Sequence, residues 1–130
     1  SADEIQGFVD GVCGRMTDDA APVRTLVGTG LFDFGDADGV GDAVRLQHPQ
    51  GLARAPDGRL VVADSYNDAL KWCDPATRAV TTLARGLRFP TAVAIAGAHA
   101  LVAETDAHRI AVVPLGGGAA RVLEVGQAPE

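Results

Sequence analysis

The chain has 130 residues, of which 47% are hydrophobic and 22% charged, and its formal net charge is −6. These values are typical of one soluble globular domain that is large enough to bury a core. The acidic balance argues against non-specific binding of nucleic acid, and no apolar run approaches the roughly 18 residues of a membrane helix. The sequence opens without a basic and apolar leader, so we expect a cytoplasmic protein.

The first predicted elements are the outer strands of an incomplete repeat in residues 1–27, near residues 7–13 and 23–27. Ala2-Asp3 and Thr25-Leu26-Val27 match positions of a fuller copy later in the chain. A loop rich in Gly and Asp follows over residues 28–47. We therefore expect the chain to begin inside a repeat and then to cross a long connection.

Residues 48–86 are predicted to form a four-stranded antiparallel meander. Short β-rich runs alternate with turn signals such as Pro56-Asp57-Gly58, in which Pro fixes φ and Gly accepts a left-handed conformation. The predicted strands lie near residues 51–54, 60–64, 69–73 and 79–84. No segment has the apolar period of about 3.6 residues that indicates a helix.

Residues 87–126 are predicted to repeat this meander, and residues 127–130 form a tail. The strands are expected near residues 92–96, 100–103, 109–114 and 119–125. Pro90 follows Pro49 by 41 residues, and Glu104 follows Asp64 by 40. A period of about 40 residues built of short apolar runs is typical of β-propeller blades. We therefore predict an all-β fold, a partial β-propeller of about two and a half four-stranded antiparallel blades.

An incomplete propeller leaves apolar blade faces without a partner, because natural propellers close a ring of about four or more blades. Either the chain is a fragment of a larger propeller whose remaining blades complete the ring, or several copies assemble into a homo-oligomer. A start within a repeat favours the fragment.

The first full copy carries a specific pattern. Pro49-Gln50-Gly51, Asp57-Gly58 and Ala63-Asp64-Ser65-Tyr66-Asn67, each beside an aliphatic strand, resemble the NHL repeat. Residues 23–46 look like the inter-blade loop of bacterial proteins that join a thioredoxin-like domain to an NHL propeller. The resemblance implies an NHL-type propeller, with six blades expected. The positions to which it gives a structural role are Pro49, Gly51, Asp57, Gly58, Asp64, Pro90 and Glu104.

The second copy departs from this pattern at Pro90-Thr91-Ala92, at Glu104 and at Ala107-His108, and it is similar to the last blade of such a propeller. The chain has ten arginines but a single lysine, Lys71, and a high content of Gly. This composition indicates a GC-rich genome, which agrees with a bacterial source.

Two carboxylates, Asp64 and Glu104, recur at the end of corresponding predicted strands. A carboxylate in that position most often accepts backbone N–H bonds and fixes the following turn. A catalytic acid is needed once, so the recurrence favours a structural role. The sequence also contains no nucleophile elbow, phosphate loop or zinc-protease helix motif. We therefore predict no catalytic residue and no cofactor, and we favour a protein that is not an enzyme.

Two groups of side chains are candidates for a metal site. His48, His99 and His108 occupy non-equivalent places in the repeat, so we do not expect them to converge. The acidic loop has no EF-hand spacing, because Gln47 stands where the final Glu is required; its acids are Asp33, Asp36, Asp38 and Asp42. We predict no metal in this chain. The alternative is a lyase or hydrolase whose metal site is completed by blades outside the chain, with His48 and Asp64 facing the channel.

The two cysteines, Cys13 and Cys73, are too few for a disulfide scaffold and lie in neighbouring copies of the repeat. They are predicted to be free thiols in a reducing compartment.

The remaining candidates lie on the loop face, formed by the segments that precede the innermost strands and those that join the next pair of strands. There we predict a non-enzymatic scaffold that binds a protein or a small molecule, with neither nucleic acid nor a membrane as partner. The candidate residues are Phe32, Phe34, His48, Gln50, Tyr66, Asn67, Arg88, His108 and Arg109.

Overall fold

The computed structural model describes residues 23–30 and 33–123. Nine strands and three single-turn 3-10 helices occur in that part of the chain. The strands are β1 (Gly39–Val40), β2 (Pro49–Arg54), β3 (Leu60–Asp64), β4 (Ala69–Asp74), β5 (Ala79–Ala84), β6 (Pro90–Ala96), β7 (His99–Glu104), β8 (Arg109–Pro114) and β9 (Arg121–Leu123). The 3-10 turns span Gly41–Ala43, Ser65–Asn67 and Thr105–Ala107.

The strands form two antiparallel sheets, with strand orders β1-β5-β4-β3-β2 and β6-β7-β8-β9. We call the first sheet blade 1 and the second blade 2. The all-β, partial-propeller prediction is confirmed, and the strands of the two meanders run over residues 49–84 and 90–123. Both inner strands begin at a proline, Pro49 or Pro90, followed by an irregularity in the register with the next strand.

Blade 1 has a fifth strand that was not predicted. β1 pairs with the outer strand β5 through Gly39 opposite Val80 and Val40 opposite Ala79. A strand of two residues within a Gly- and Asp-rich loop has too few side chains to show a period of two, so no sequence signal marks it.

Residues 23–27 do not form the predicted outer strand. They run beside blade 1, where Arg78 Nε donates to Leu26 O at 2.5 Å and the Gly28 amide donates to Gly41 O at 3.0 Å. A strand requires a neighbouring strand with which it forms hydrogen bonds. The strand predicted near residues 7–13 as that neighbour lies outside the described residues. At the other end, β9 begins at Arg121, later than the predicted start near residue 119, because a Gly-rich turn precedes it, and residues 124–125 lie outside the described residues.

The main core lies between the two blades. Alternate residues of blade 1, including Val61 and Leu70, face alternate residues of blade 2, including Val102 and Val113, and all four are fully buried. Burial of each such side chain contributes on the order of 1.5–3 kcal/mol. Trp72 belongs to the same core.

Gly51 allows the inner strands to approach closely. A Cβ atom at this position would lie 3.0 Å from Ala92 Cα and 3.0 Å from Thr91 O, atoms of the neighbouring blade. Ser65 adds a polar connection, since its Oγ donates to Pro90 O at 2.5 Å. The glycine of the repeat is therefore required by blade packing rather than by a left-handed backbone.

A second apolar cluster covers the other face of blade 1. Val44 and Leu46, from the segment that we call the strap (residues 33–47), pack with Cys73 and Val80 of the sheet. The face of blade 2 that points away from blade 1 carries Ala92, Ala94, Leu101 and Ile110 in alternate positions, and neither apolar cluster of the described residues includes them. No helix in the described part of the chain has the length and apolarity to span a membrane.

Candidate functional site

Three aromatic side chains form a continuous strip on the loop face. The rings of His48 and Tyr66 meet edge to face with centroids 4.4 Å apart, and the rings of Tyr66 and Phe89 are tilted with centroids 5.5 Å apart. Tyr66 is 53% exposed, and His48 is also exposed. We call these three residues the aromatic strip. It crosses the boundary between blades, since Phe89 lies just before β6.

The backbone holds both ends of the strip in an uncommon conformation. His48 has φ 51° and Phe89 has φ 54°, and each directly precedes the proline that begins an inner strand. A left-handed conformation is infrequent for residues with a side chain, and such positions persist where the surroundings fix them. The strip is thus built from equivalent positions of two repeats.

A buried carboxylate fixes the first of these positions. Asp64 is fully buried at the end of β3, and its Oδ1 accepts the Gln47 amide at 2.8 Å. Its Oδ2 accepts Asn67 Nδ2 at 2.7 Å, and the same Nδ2 also donates to Gly35 O of the strap at 2.6 Å. Burial raises the pKa of Asp64 despite these donors. Tyr66 is held nearby, because its amide donates to Gln47 O at 3.1 Å.

Glu104 performs the corresponding task in blade 2. Its Oε2 accepts the Arg88 amide at 2.8 Å, and its Oε1 accepts Arg109 Nε at 3.0 Å. Burial alone would raise the pKa of Glu104, but the bonds from Arg109 and from the Arg88 amide outweigh it and lower this pKa. Phe89 is fixed further by Asp68, whose Oδ1 accepts the Phe89 amide at 3.1 Å.

A buried lysine attaches the strap to blade 1. Lys71 in β4 has no exposed surface, and its Nζ donates to Asp36 at 2.7 Å, to Asp38 at 2.8 Å and to Thr82 Oγ1 at 3.0 Å. Arg85 also binds Asp36, at 2.6 Å. Bonds from Arg85 and Lys71 lower the pKa of the Asp36 carboxyl to about 2. Sequence reasoning missed this cluster; its signal was the only lysine, placed among apolar residues of a strand.

The four acids of the loop are thus distributed among different partners. Asp36 and Asp38 bind Lys71, Asp33 accepts Thr29 Oγ1 at 2.8 Å, and Asp42 lies 3.3 Å from Arg78 Nη2. Among the described residues, no three His, Cys, Asp or Glu side chains are placed to hold a metal ion. Cys73 is a buried free thiol whose pKa is raised by burial, and Cys13 lies outside the described residues.

The candidates for the loop face are only partly brought together. His48 and Tyr66 belong to the strip, whereas Asn67 and Arg109 are engaged with the buried carboxylates. Arg88, Gln50 and His108 are exposed, and His108 has φ 53°.

Phe34 is 62% exposed on the strap and lines a cavity of about 630 Å³ with His48 and Pro49. Phe32 lies outside the described residues. Phe89 was not among the candidates, although its place before Pro90, equivalent to that of His48, was a usable signal.

The two stacked blades, with proline-led inner strands and turn-fixing carboxylates, define a β-propeller-type repeat unit. Residues 46–73 match the model of the NHL repeat. A stretch of 54 residues is 56% identical to Protein SUPPRESSOR OF QUENCHING 1, chloroplastic, of Arabidopsis thaliana, covering 42% of this chain and 5% of that protein.

Longer stretches are similar to an animal protein. Over 68 residues the chain is 50% identical to NHL repeat-containing protein 2 of Bos taurus and 48% identical to that of Homo sapiens, covering 48% of this chain and 9% of each relative. The chain therefore spans less than a tenth of the length of these curated relatives.

Proposed function

We propose that this chain is an NHL-type propeller segment that acts as a non-enzymatic binding scaffold and presents its loop face to a protein or small-molecule ligand. The observation that supports this function is the aromatic strip, which is exposed yet held at both ends by repeated backbone bonds to buried carboxylates. Aromatic side chains on a fixed backbone give contact area with little loss of conformational entropy, as in many protein interfaces.

The face of blade 2 that no apolar cluster of the described residues covers supports a second part of the proposal, the completion of a ring. Within the chain, the equivalent face of blade 1 is covered by blade 2 itself. A similar blade is therefore the fitting cover for Ala92, Ala94, Leu101 and Ile110, supplied by a longer polypeptide or by another copy. We place such a protein in the cytoplasm of a bacterium, next to a thioredoxin-like domain; composition and the strap sequence carry this finer assignment, while the relatives that match come from a plant and from animals.

Selection from a random peptide library tests the scaffold function. Peptides enriched on the wild-type chain are measured by calorimetry against Tyr66→Ala and Arg88→Ala on the loop face, and against Asp74→Asn on the opposite face as a matched control. We expect Tyr66→Ala to weaken binding by about tenfold or more, the size of an interface hot spot, Arg88→Ala to change it in the direction set by the charge of the peptide, and the control to leave it unchanged. Binding that no loop-face variant alters would refute the proposal.

A further inference from the structure

Two exposed carboxylates belong to residues that bond to the segment carrying Phe89 of the aromatic strip. Asp68 is exposed, lies two residues after Tyr66, and accepts the Phe89 amide. Asp106 is also exposed, and its amide donates to Arg88 O at 3.3 Å, so this residue lies next to the segment that carries Phe89. Over residues 23–30 and 33–123, neither carboxylate belongs to an ion pair. The strip is therefore apolar and π-rich at its centre and acidic at its margins.

The opposite face of the same chain shows which group such an arrangement holds. There the guanidinium of Arg59 lies 3.8 Å from the centroid of the Trp72 ring, and its Nε is 2.7 Å from Asp57 Oδ2. A cation over an aromatic face gains from the ring quadrupole, and a neighbouring carboxylate adds a charge-assisted bond. The loop face repeats the aromatic ring and the carboxylate, but no cation of the described residues stacks on the rings of the strip.

From this comparison we infer that the aromatic strip binds an arginine or lysine side chain of a protein partner, with the cation over Tyr66 and with Asp68 and Asp106 as its counter-charges. The inference rests on the proposed scaffold function and specifies its partner. The net charge of −6 favours the approach of a cationic partner over long range. Arg88 and Arg109 carry the opposing charge on these segments; Arg109 is paired with the buried Glu104, and both arginines help to lower the pKa of Glu104.

Tyr66 is the only tyrosine of the chain, so fluorotyrosine incorporation gives a single fluorine NMR signal within the strip. The probe is the capped peptide Gly-Arg-Gly-Arg-Gly. Its matched control replaces arginine by citrulline, which keeps the shape and removes the charge. We expect the arginine peptide to shift the signal with a dissociation constant of about 1 mM and the citrulline peptide to bind at least about fivefold more weakly. Equal binding of the two peptides would overturn the inference.

Charge variants give a second, independent readout. Asp68→Asn and Asp106→Asn are each expected to lower the affinity for the arginine peptide by about twofold, since each removes one counter-charge. Asp68→Asn retains the acceptor for the Phe89 amide, and Asn tolerates the left-handed φ of 53° at this position. Arg88→Gln is expected to strengthen binding, whereas Asp74→Asn on the opposite face changes the same charge and leaves binding unaltered.

The opposite pattern identifies an anionic partner. The inference is wrong if the capped peptide Gly-Glu-Gly-Glu-Gly binds more tightly than the arginine peptide. It is also wrong if Arg88→Gln weakens binding of the arginine peptide. Tyr66→Leu, followed by calorimetry, separates π contact from simple apolar contact, because leucine keeps the volume without the ring. Library peptides that bind the loop face but lack Arg and Lys would refute the cationic partner while leaving the scaffold function intact.

Discussion

Blades 1 and 2 use different side chains to fix the backbone that precedes the inner strand. In both, a buried carboxylate at the end of the second strand accepts the amide that lies two residues before the proline of the inner strand. Blade 1 uses Asp64 with the neutral Asn67, whereas blade 2 uses the longer Glu104 with Arg109.

The changes in blade 2 therefore compensate one another. The longer acid and the new arginine preserve the bond to the backbone after Ala107 has replaced the asparagine of the repeat. What blade 2 loses is the second bond of that asparagine, the one that Asn67 makes to the strap. A copy that departs from its repeat pattern can thus keep the fold of the blade while losing the attachment of an additional segment.

The largest expected effect concerns the contrast between Lys71 and its counterpart Ala111. Lys71→Met keeps most of the volume but removes the cation that binds Asp36 and Asp38. We expect a loss of about 3 kcal/mol in the free energy of unfolding, because two charge-assisted hydrogen bonds are lost and water only partly replaces them at Asp36 and Asp38. Urea denaturation of the 130-residue chain measures it. Ala111→Ser changes the equivalent position of blade 2 and serves as the control; a loss from Lys71→Met no larger than that of the control would contradict the role of Lys71.

A smaller effect separates the equivalent positions Gly51 and Ala92. Gly51→Ala places a methyl group 3.0 Å from backbone atoms of blade 2, and overpacking of this kind costs about 2 kcal/mol. Ala92→Gly creates no clash and is expected to cost about 1 kcal/mol, through backbone entropy in a strand. Thermal unfolding monitored by the fluorescence of Trp72 compares the two. Equal losses of stability in the two variants would show that blade packing does not distinguish Gly51 from Ala92.

The opposite pKa shifts of Glu104 and Asp64 predict that their contributions to the free energy of unfolding depend on pH in opposite directions. The pKa of Glu104 is lowered in the folded chain, so its contribution is present above its unfolded pKa near 4.5 and is lost as the pH falls through the folded value. The cost of Glu104→Gln, about 1 kcal/mol at neutral pH, should therefore shrink on acidification.

The pKa of Asp64 is raised instead, so its contribution is present below about 3.8 and is lost as the pH rises through the folded value. The cost of Asp64→Asn should consequently grow on acidification. Urea denaturation of both variants between neutral pH and pH of about 3 measures the two trends, and trends of the same sign would contradict the difference between the blades.

The smallest expected effect lies on the opposite face, where Arg59 covers Trp72 and no equivalent pair exists in blade 2, since Val112 replaces the tryptophan. Arg59→Leu is expected to cost about 0.5–1 kcal/mol, mostly the cation–π contact. Asp57→Asn removes only the charge that faces Arg59 and should cost less, as expected for an exposed ion pair. Chemical denaturation at low and high salt separates the two contributions, and identical costs would contradict the assignment to the ring.

The strands of both blades could be predicted because each has a side-chain period of two and is bounded by turns rich in Gly, Pro or Asp. The short strand β1 could not, because Gly39 and Val40 are defined by pairing with β5 and not by their own pattern. The apolar character of residues 23–27 predicts a strand, but the structure shows none there, and Leu26 O accepts its bond from the Arg78 side chain.

The loop face was predictable in position and less so in detail. Its segments follow from the order of strands in a blade, which predicted His48 and Tyr66 for one surface, and in the structure their rings are in contact. The ring contacts depend on the left-handed backbone at His48 and Phe89, and a residue before proline is ordinarily expected to be extended. Lys71 was missed because its partners lie 33 and 35 residues away on the strap, a distance that no local pattern reveals.

The burial of Lys71 also determines how the molecule reacts with amine reagents. Since it is the only lysine and has no exposed surface, acylating reagents can reach a side-chain amine only after the strap has moved away from the sheet. The rate of acylation at Lys71 under native conditions therefore reports the frequency of that opening, and a ligand that holds the strap closed would reveal itself by protecting a single amine.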